Sequence, residues 1–75
     1  MWTEENNTLS REFKFKNFSE AWGFMNQVAL IAEKLDHHPN WSNVYNTVNI
    51  TLCTHSEGNT VTDKDREFAR LVDAL

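Results

Sequence analysis

Glu33-Lys34-Leu35-Asp36-His37-His38-Pro39-Asn40-Trp41-Ser42-Asn43-Val44-Tyr45-Asn46-Thr47-Val48-Asn49-Ile50-Thr51-Leu52 is the stretch in which the apolar period changes from helical to extended. Up to Leu35 the apolar residues recur at three and four. From Val48 onward Val48, Ile50 and Leu52 alternate with Thr47, Asn49, Thr51 and Cys53. The first spacing marks one stripe of a helix and the second a strand with one buried face. Pro39 lies between them, cannot continue a helix and biases His38 away from helical angles. The helix is therefore expected to end within residues 36–38, with Glu33 in its last turn. Residues 41–45 read as a strand, Asn46 as a turn position, and residues 47–53 as the strongest strand of the chain.

Working upstream, Asn17 followed by Glu20 has the spacing of a capping box with Asn as the cap. Phe18, Ala21, Trp22, Met25, Val28, Ala29, Ala32 and Leu35 then form the predicted buried stripe. Phe24 and Ile31 widen it, as though the helix faced both a sheet and a second apolar surface. Before the helix, Leu9, Arg11, Phe13 and Phe15 alternate with Thr8, Ser10, Glu12 and Lys14, a second period-two strand over residues 8–15. Residues 2–5 read as a strand and Asn6-Asn7 as the turn joining the two, since Asn tolerates positive φ.

Downstream, Glu57-Gly58-Asn59 breaks the strand. Thr62 and Asp65 repeat the capping-box spacing, and Phe68, Leu71, Val72 and Leu75 give the buried stripe of a second helix. The element order is ββαββα. Two hairpins separated by a helix suit an α+β fold, a four-stranded antiparallel sheet with both helices on one face, in one domain of residues 1–75.

Composition excludes several classes of function. The net charge is −4, and no basic cluster is present to contact phosphates, so nucleic acid is not an expected partner. No apolar run approaches the roughly 18 residues of a membrane span, and no signal peptide is evident. Cys53 is the single cysteine and cannot form an internal disulfide. A soluble protein of the reducing cytoplasm is the expectation. Seventy-five residues make a small core, so a second copy of the chain is an expected partner.

Three histidines, His37, His38 and His55, carry the candidate chemistry. Imidazole titrates close to neutral pH, so histidines delivered from two elements suit proton transfer to and from one bound molecule. Metal binding competes with this reading, although neighbouring side chains diverge and no His-x-x-x-His or cysteine pair is present. Nucleophilic catalysis by Cys53, with only His55 as a nearby base in sequence, also competes, but a lone cysteine is more often inert packing. His-His-Pro as a plain helix end, and Trp41 and Thr54 as ordinary packing, are further alternatives.

The run from Ala32-Glu33-Lys34-Leu35-Asp36-His37-His38-Pro39-Asn40-Trp41 through Tyr45-Asn46, then Val48-x-Ile50-x-Leu52-x-Thr54-His55, resembles the pterin-4a-carbinolamine dehydratases. The resemblance extends to Phe13-Lys14-Phe15-Lys16-Asn17-Phe18, Phe24-Met25-x-x-Val28-Ala29 and Val61-Thr62-Asp63-Lys64-Asp65. It implies dehydration of a 4a-hydroxytetrahydropterin to a quinonoid dihydropterin in tetrahydrobiopterin recycling, with no metal or organic cofactor. It also implies that His37 and His55 are the acid–base pair, that His38 holds the pterin, and that Glu33 orients a histidine or raises its pKa. Trp41, Cys53, Thr54 and Asp36 are implied as pterin contacts. With His37 on a loop, its removal is expected to leave the fold intact. Family members usually carry a helix before the residue matching Trp2, so the chain reads as a short form lacking it, either a naturally short member or a truncated one. They form dimers or tetramers, and some bind a homeodomain transcription factor, which keeps an adaptor or coactivator role as the alternative.

Overall fold

Local signals set most of the element boundaries. In the computed structural model, which describes residues 1–75, the order is β1 (Thr3–Glu5), β2 (Thr8–Lys14), α1 (Phe18–Leu35), β3 (Asn40–Val44), β4 (Thr47–Leu52) and α2 (Asp63–Asp73). Asn6 and Asn7 both take positive φ, 52° and 63°, and close a two-residue hairpin between β1 and β2. Such turns match the right-handed twist of the flanking strands.

The second hairpin is shifted from the sequence expectation: β3 starts one residue earlier at Asn40, β4 ends one residue earlier at Leu52, and the turn between them takes in Tyr45. Val44 pairs with Thr47, so Tyr45 is the first turn residue rather than the last of the strand, at φ 50°. Asn43 Nδ2 holds this bend by donating to the carbonyls of Tyr45 and Thr47 at 3.1 and 3.0 Å. Asn46 is pinned to the end of β2, donating from Nδ2 to the Phe15 carbonyl at 3.0 Å and accepting the Phe15 N–H at 2.8 Å.

The sheet is antiparallel throughout, in the order β1-β2-β4-β3. Its register puts Leu9 opposite Leu52, Arg11 opposite Ile50 and Phe13 opposite Val48. These residues and Trp41, opposite Ile50 on the other side, share the face covered by the helices. Threonines, serines, asparagines, glutamates and Lys14 occupy the other face, with Val44 at its edge the one apolar side chain among them. Both helices therefore pack on one side of a sheet whose second side is polar, as the alternation predicts.

Asn17 caps α1, its side chain accepting the Glu20 N–H at 2.9 Å, and Glu20 reaches back to the Lys16 N–H at 2.9 Å. The buried stripe is Ala21, Val28 and Ala32, flanked by Phe24, Met25, Ile31 and Leu35. Phe18 and Trp22, expected inside, are 48% and 53% exposed and stack on each other. The reason is angular: Trp22 lies about 120° around the helix from Val28, whereas Phe24 and Ile31 lie about 40–60° from it. The stripe is centred on Val28 and ends short of Phe18 and Trp22, so Phe24 and Ile31 fall within it and join the core instead of facing a second surface.

α2 begins at a capping box built from Thr62 and Asp65. It buries Phe68, Ala69 and Val72, while Leu75, beyond the helix end, is exposed. Its last turn is tied to the sheet: Asp73 accepts from Trp2 Nε1 and Arg11 Nη1, both at 2.9 Å.

Candidate functional site

The end of α1 determines where the two adjacent histidines point. Asp36 takes the left-handed conformation, φ 49° and ψ 46°. The His37 N–H donates to the Ala32 carbonyl at 3.0 Å and the Asp36 N–H to the Glu33 carbonyl at 3.3 Å. This is the Schellman arrangement, in which the residue after the left-handed one packs back on the helix. His37 occupies that place. Its ring turns inward, edge-on to Phe68 with centroids 6.2 Å apart. Pro39 then carries the chain away, and His38 faces solvent.

His37 is consequently 8% exposed, and its Nε2 lies 2.5 Å from Oδ1 of Asp65, which is fully buried. The expectation of a dispensable loop histidine is corrected by this contact. A side chain inside the core, hydrogen-bonded to a buried carboxylate, supports the fold directly. Asp65 Oδ2 accepts the Thr54 hydroxyl and the Thr62 N–H, each at 2.8 Å. The two threonine hydroxyls are 2.7 Å apart. Burial pushes the Asp65 carboxyl up. Hydrogen bonds from His37, the Thr62 amide and Thr54, together with the charge of His37, outweigh it and leave the pKa below its ordinary value of 3.8. No buried side-chain polar atom lacks a partner.

His38 has its own carboxylate. Its Nε2 lies 2.7 Å from Glu33 Oε1, with both side chains largely in solvent, 57% and 78% exposed. Glu33 thus pairs with His38 and not with His37. Their positions, five residues apart across the helix end, allow this only because the Schellman turn folds the chain back.

His55 leaves β4 on the exposed side and opens a short 3-10 turn, His55–Glu57. The turn closes when Gly58, at φ 81°, donates its N–H to the His55 carbonyl at 3.2 Å. His55 Nε2 lies 4.0 Å from Cys53 Sγ. Cys53 is half-buried, Thr54 buried and Asp36 exposed, while Trp41 is half-buried against the core.

The fold brings the expected residues to one end of the sheet. His37 and His38 come from the end of α1, Thr54 and His55 from the end of β4, and Thr62 and Asp65 from the start of α2. Asp65 was absent from the expected site because its spacing reads fully as helix capping. Only the tertiary packing of α2 against α1 reveals its second role. A groove of about 410 Å³ beside this network is lined by Thr54, Ser56, Glu57, Thr62, Asp63 and Lys64, and none of the three histidines lines it. A second groove, about 470 Å³ and floored by Phe13, Phe15 and Phe24, also contains no histidine. No three His, Cys, Asp or Glu side chains converge closely enough to hold a metal ion. No helix is long and apolar enough to cross a membrane.

Comparison with known proteins identifies the family of the chain. A relative from Prochlorococcus marinus (strain NATL2A) that carries the name "Putative pterin-4-alpha-carbinolamine dehydratase" is 51% identical over 74 residues, covering 99% of this chain and 77% of its own length. A Brucella ovis relative with the same name is 60% identical over 67 residues, covering 89% and 68%. The crystal structure of a transcriptional coactivator/pterin dehydratase from Brucella melitensis superposes with a TM-score of 0.92 at 55% identity, over 97% of this chain and 79% of that one. A pterin dehydratase-like protein described as a RuBisCO assembly factor in the alpha-carboxysome superposes with a TM-score of 0.78 at 28% identity, over 99% and 84%. The family model described as pterin 4 alpha carbinolamine dehydratase matches residues 1–75, and the chain belongs to that family.

Proposed function

We propose that the chain removes water from a 4a-hydroxytetrahydropterin to give a quinonoid dihydropterin, in tetrahydrobiopterin recycling. The observation that carries this reading is the pairing of two adjacent imidazoles with separate carboxylates, His37 with Asp65 and His38 with Glu33, in a chain of this family. The departing 4a-hydroxyl needs a proton, and the neighbouring ring nitrogen must lose one. The pterin's own nitrogen lone pair expels the hydroxyl, so the step calls for positioned imidazoles and no resident cofactor. Positioned proton transfer typically contributes about 10²–10⁴-fold.

In this reading His37 and His55 exchange the protons and His38, held by Glu33, grips the pterin. Trp41, Cys53, Thr54 and Asp36 shape its site. The exposed positions of His38 and His55 suit contact with a ligand arriving from solvent. The lone thiol suits the reducing cytoplasm. Stopped-flow decay of the 4a-carbinolamine with and without the protein tests the function. Acceleration that disappears in His55→Ala supports it, and an unaccelerated decay overturns it.

A homodimer or homotetramer is part of the proposal. β3 is a free edge of the sheet, and Phe18 and Trp22 stand exposed and stacked on each other on α1. Open edges and clustered apolar side chains favour self-association. The same exposed helix face supports the second reading, an adaptor or coactivator role. The names of the two solved structures, one a coactivator and one an assembly factor, point in that direction. Light scattering separates the two. Self-association that a charge at Trp22 abolishes favours the enzyme's own assembly, while a monomer leaves that face to another protein.

A further inference from the structure

The partners of the buried network fix the direction of each of its hydrogen bonds. The Asp65 carboxylate only accepts, because its carboxyl is held below the ordinary pKa. Nε2 of His37, facing Oδ1 at 2.5 Å, must therefore carry the hydrogen. The Thr54 hydroxyl has one proton and gives it to Asp65 Oδ2 at 2.8 Å. In the 2.7 Å contact between the two threonines, Thr62 is then the donor. The Thr62 oxygen in turn accepts the Lys64 N–H at 3.3 Å. Donation runs from Thr62 to Thr54 to Asp65, with His37 donating from the opposite side.

Resting on the dehydratase reading, we propose that Thr62 and Thr54 are positioning residues. By saturating Asp65 Oδ2 they orient the carboxylate that locks His37 with Nε2 protonated, leaving Nδ1 as the nitrogen that exchanges a proton with the pterin. Thr62 thereby has two tasks, capping α2 and terminating the donor chain. A catalytic imidazole held in one tautomer by a carboxylate is a general device of acid–base sites. Here the orientation is set by a helix cap on a different element, and the start of α2 becomes part of the site.

The test has a spectroscopic arm that needs no substrate. Long-range 1H–15N correlations of labelled protein, recorded above the imidazole titrations, report which nitrogen of His37 bears hydrogen. We expect Nε2–H with a bare Nδ1. Thr54→Val, which touches no cap, and Thr62→Val should mix the tautomers and lower kcat about tenfold or more with KM within about twofold. Thr62→Ser, which keeps the hydroxyl, should restore both. A purely capping Thr62 would leave the tautomer unchanged when mutated. His37 protonated on Nδ1 in the natural protein overturns the proposal, as do valine variants that keep both tautomer and kcat. If a valine variant does not fold, the tautomer of the natural protein decides. If the natural protein does not accelerate dehydration, the functional reading falls, and the NMR spectra still decide the tautomer.

Discussion

His37 and His38 are adjacent, belong to the same helix end and each face a carboxylate, at 2.5 and 2.7 Å. One pair is inside the molecule and the other in water. Hydrogen bonding alone therefore does not say what a pair contributes; the surroundings do. An exposed ion pair is worth about 0–1 kcal/mol, whereas removing one member of a buried pair costs about 3–5 kcal/mol because the other is left uncompensated. The largest expected effect follows directly. Asp65→Ala should lower unfolding stability in urea by about 3 kcal/mol or more, and His37→Ala nearly as much. Glu33→Ala and His38→Ala should each cost less than about 1 kcal/mol. Asp65→Ala staying within 1 kcal/mol of the natural protein would break the contrast.

The catalytic side of the contrast is expected to be reversed in interpretability. A rate loss in His37→Ala mixes chemistry with damage to the core. His38→Ala leaves the core alone, so its effect reports the site. We expect kcat/KM for carbinolamine dehydration to fall at least about tenfold, with the urea midpoint nearly unmoved. A variant as active as the natural protein would remove His38 and its partner Glu33 from the site.

Acid stability sharpens the buried half. The folded pKa of Asp65 lies below its ordinary value of 3.8. A carboxyl depressed in the native state contributes stability that is fully present above its unfolded pKa and is lost as pH falls through the folded one. Stability should therefore decline below about pH 4, and Asp65→Asn should flatten that part of the curve. Urea midpoints collected from pH 7 down to pH 2 check this. An unchanged acid limb would show that other carboxylates carry it.

The two pairs also differ in how far sequence could foresee them. Pro39 stops the helix by covalent geometry, and the alternation of Val48, Ile50 and Leu52 defines a face, so the fold follows from local rules. Glu33 and His38 lie five residues apart, and a turn at the helix end is enough to join them. His37 and Asp65 are separated by 28 residues. Nothing local reports their contact, and Asp65 already satisfies a complete local pattern as a cap residue, which hides the second task. Phe18 and Trp22 failed for a related reason. A stripe drawn from spacing has a width, but its centre is chosen by the sheet that covers it.

The smallest expected effect concerns the residue that separates the two pairs. Asp36 holds the left-handed position that turns His37 inward and His38 outward. Glycine fits that conformation better, since it has no Cβ to crowd the backbone at positive φ. A carboxylate at a helix C-terminus also faces the negative end of the macrodipole, at a cost of about 0.3–1 kcal/mol. Asp36→Gly should therefore raise stability in urea by roughly 0.5–1 kcal/mol. If the Asp36 carboxylate contacts the pterin, the same change should raise KM, so stability and binding would move in opposite directions. A gain in stability with unchanged KM would confine Asp36 to shaping the turn. A loss of stability would show instead that the Asp36 side chain helps hold His37 against Asp65, and would tie the exposed half of the site to the buried one.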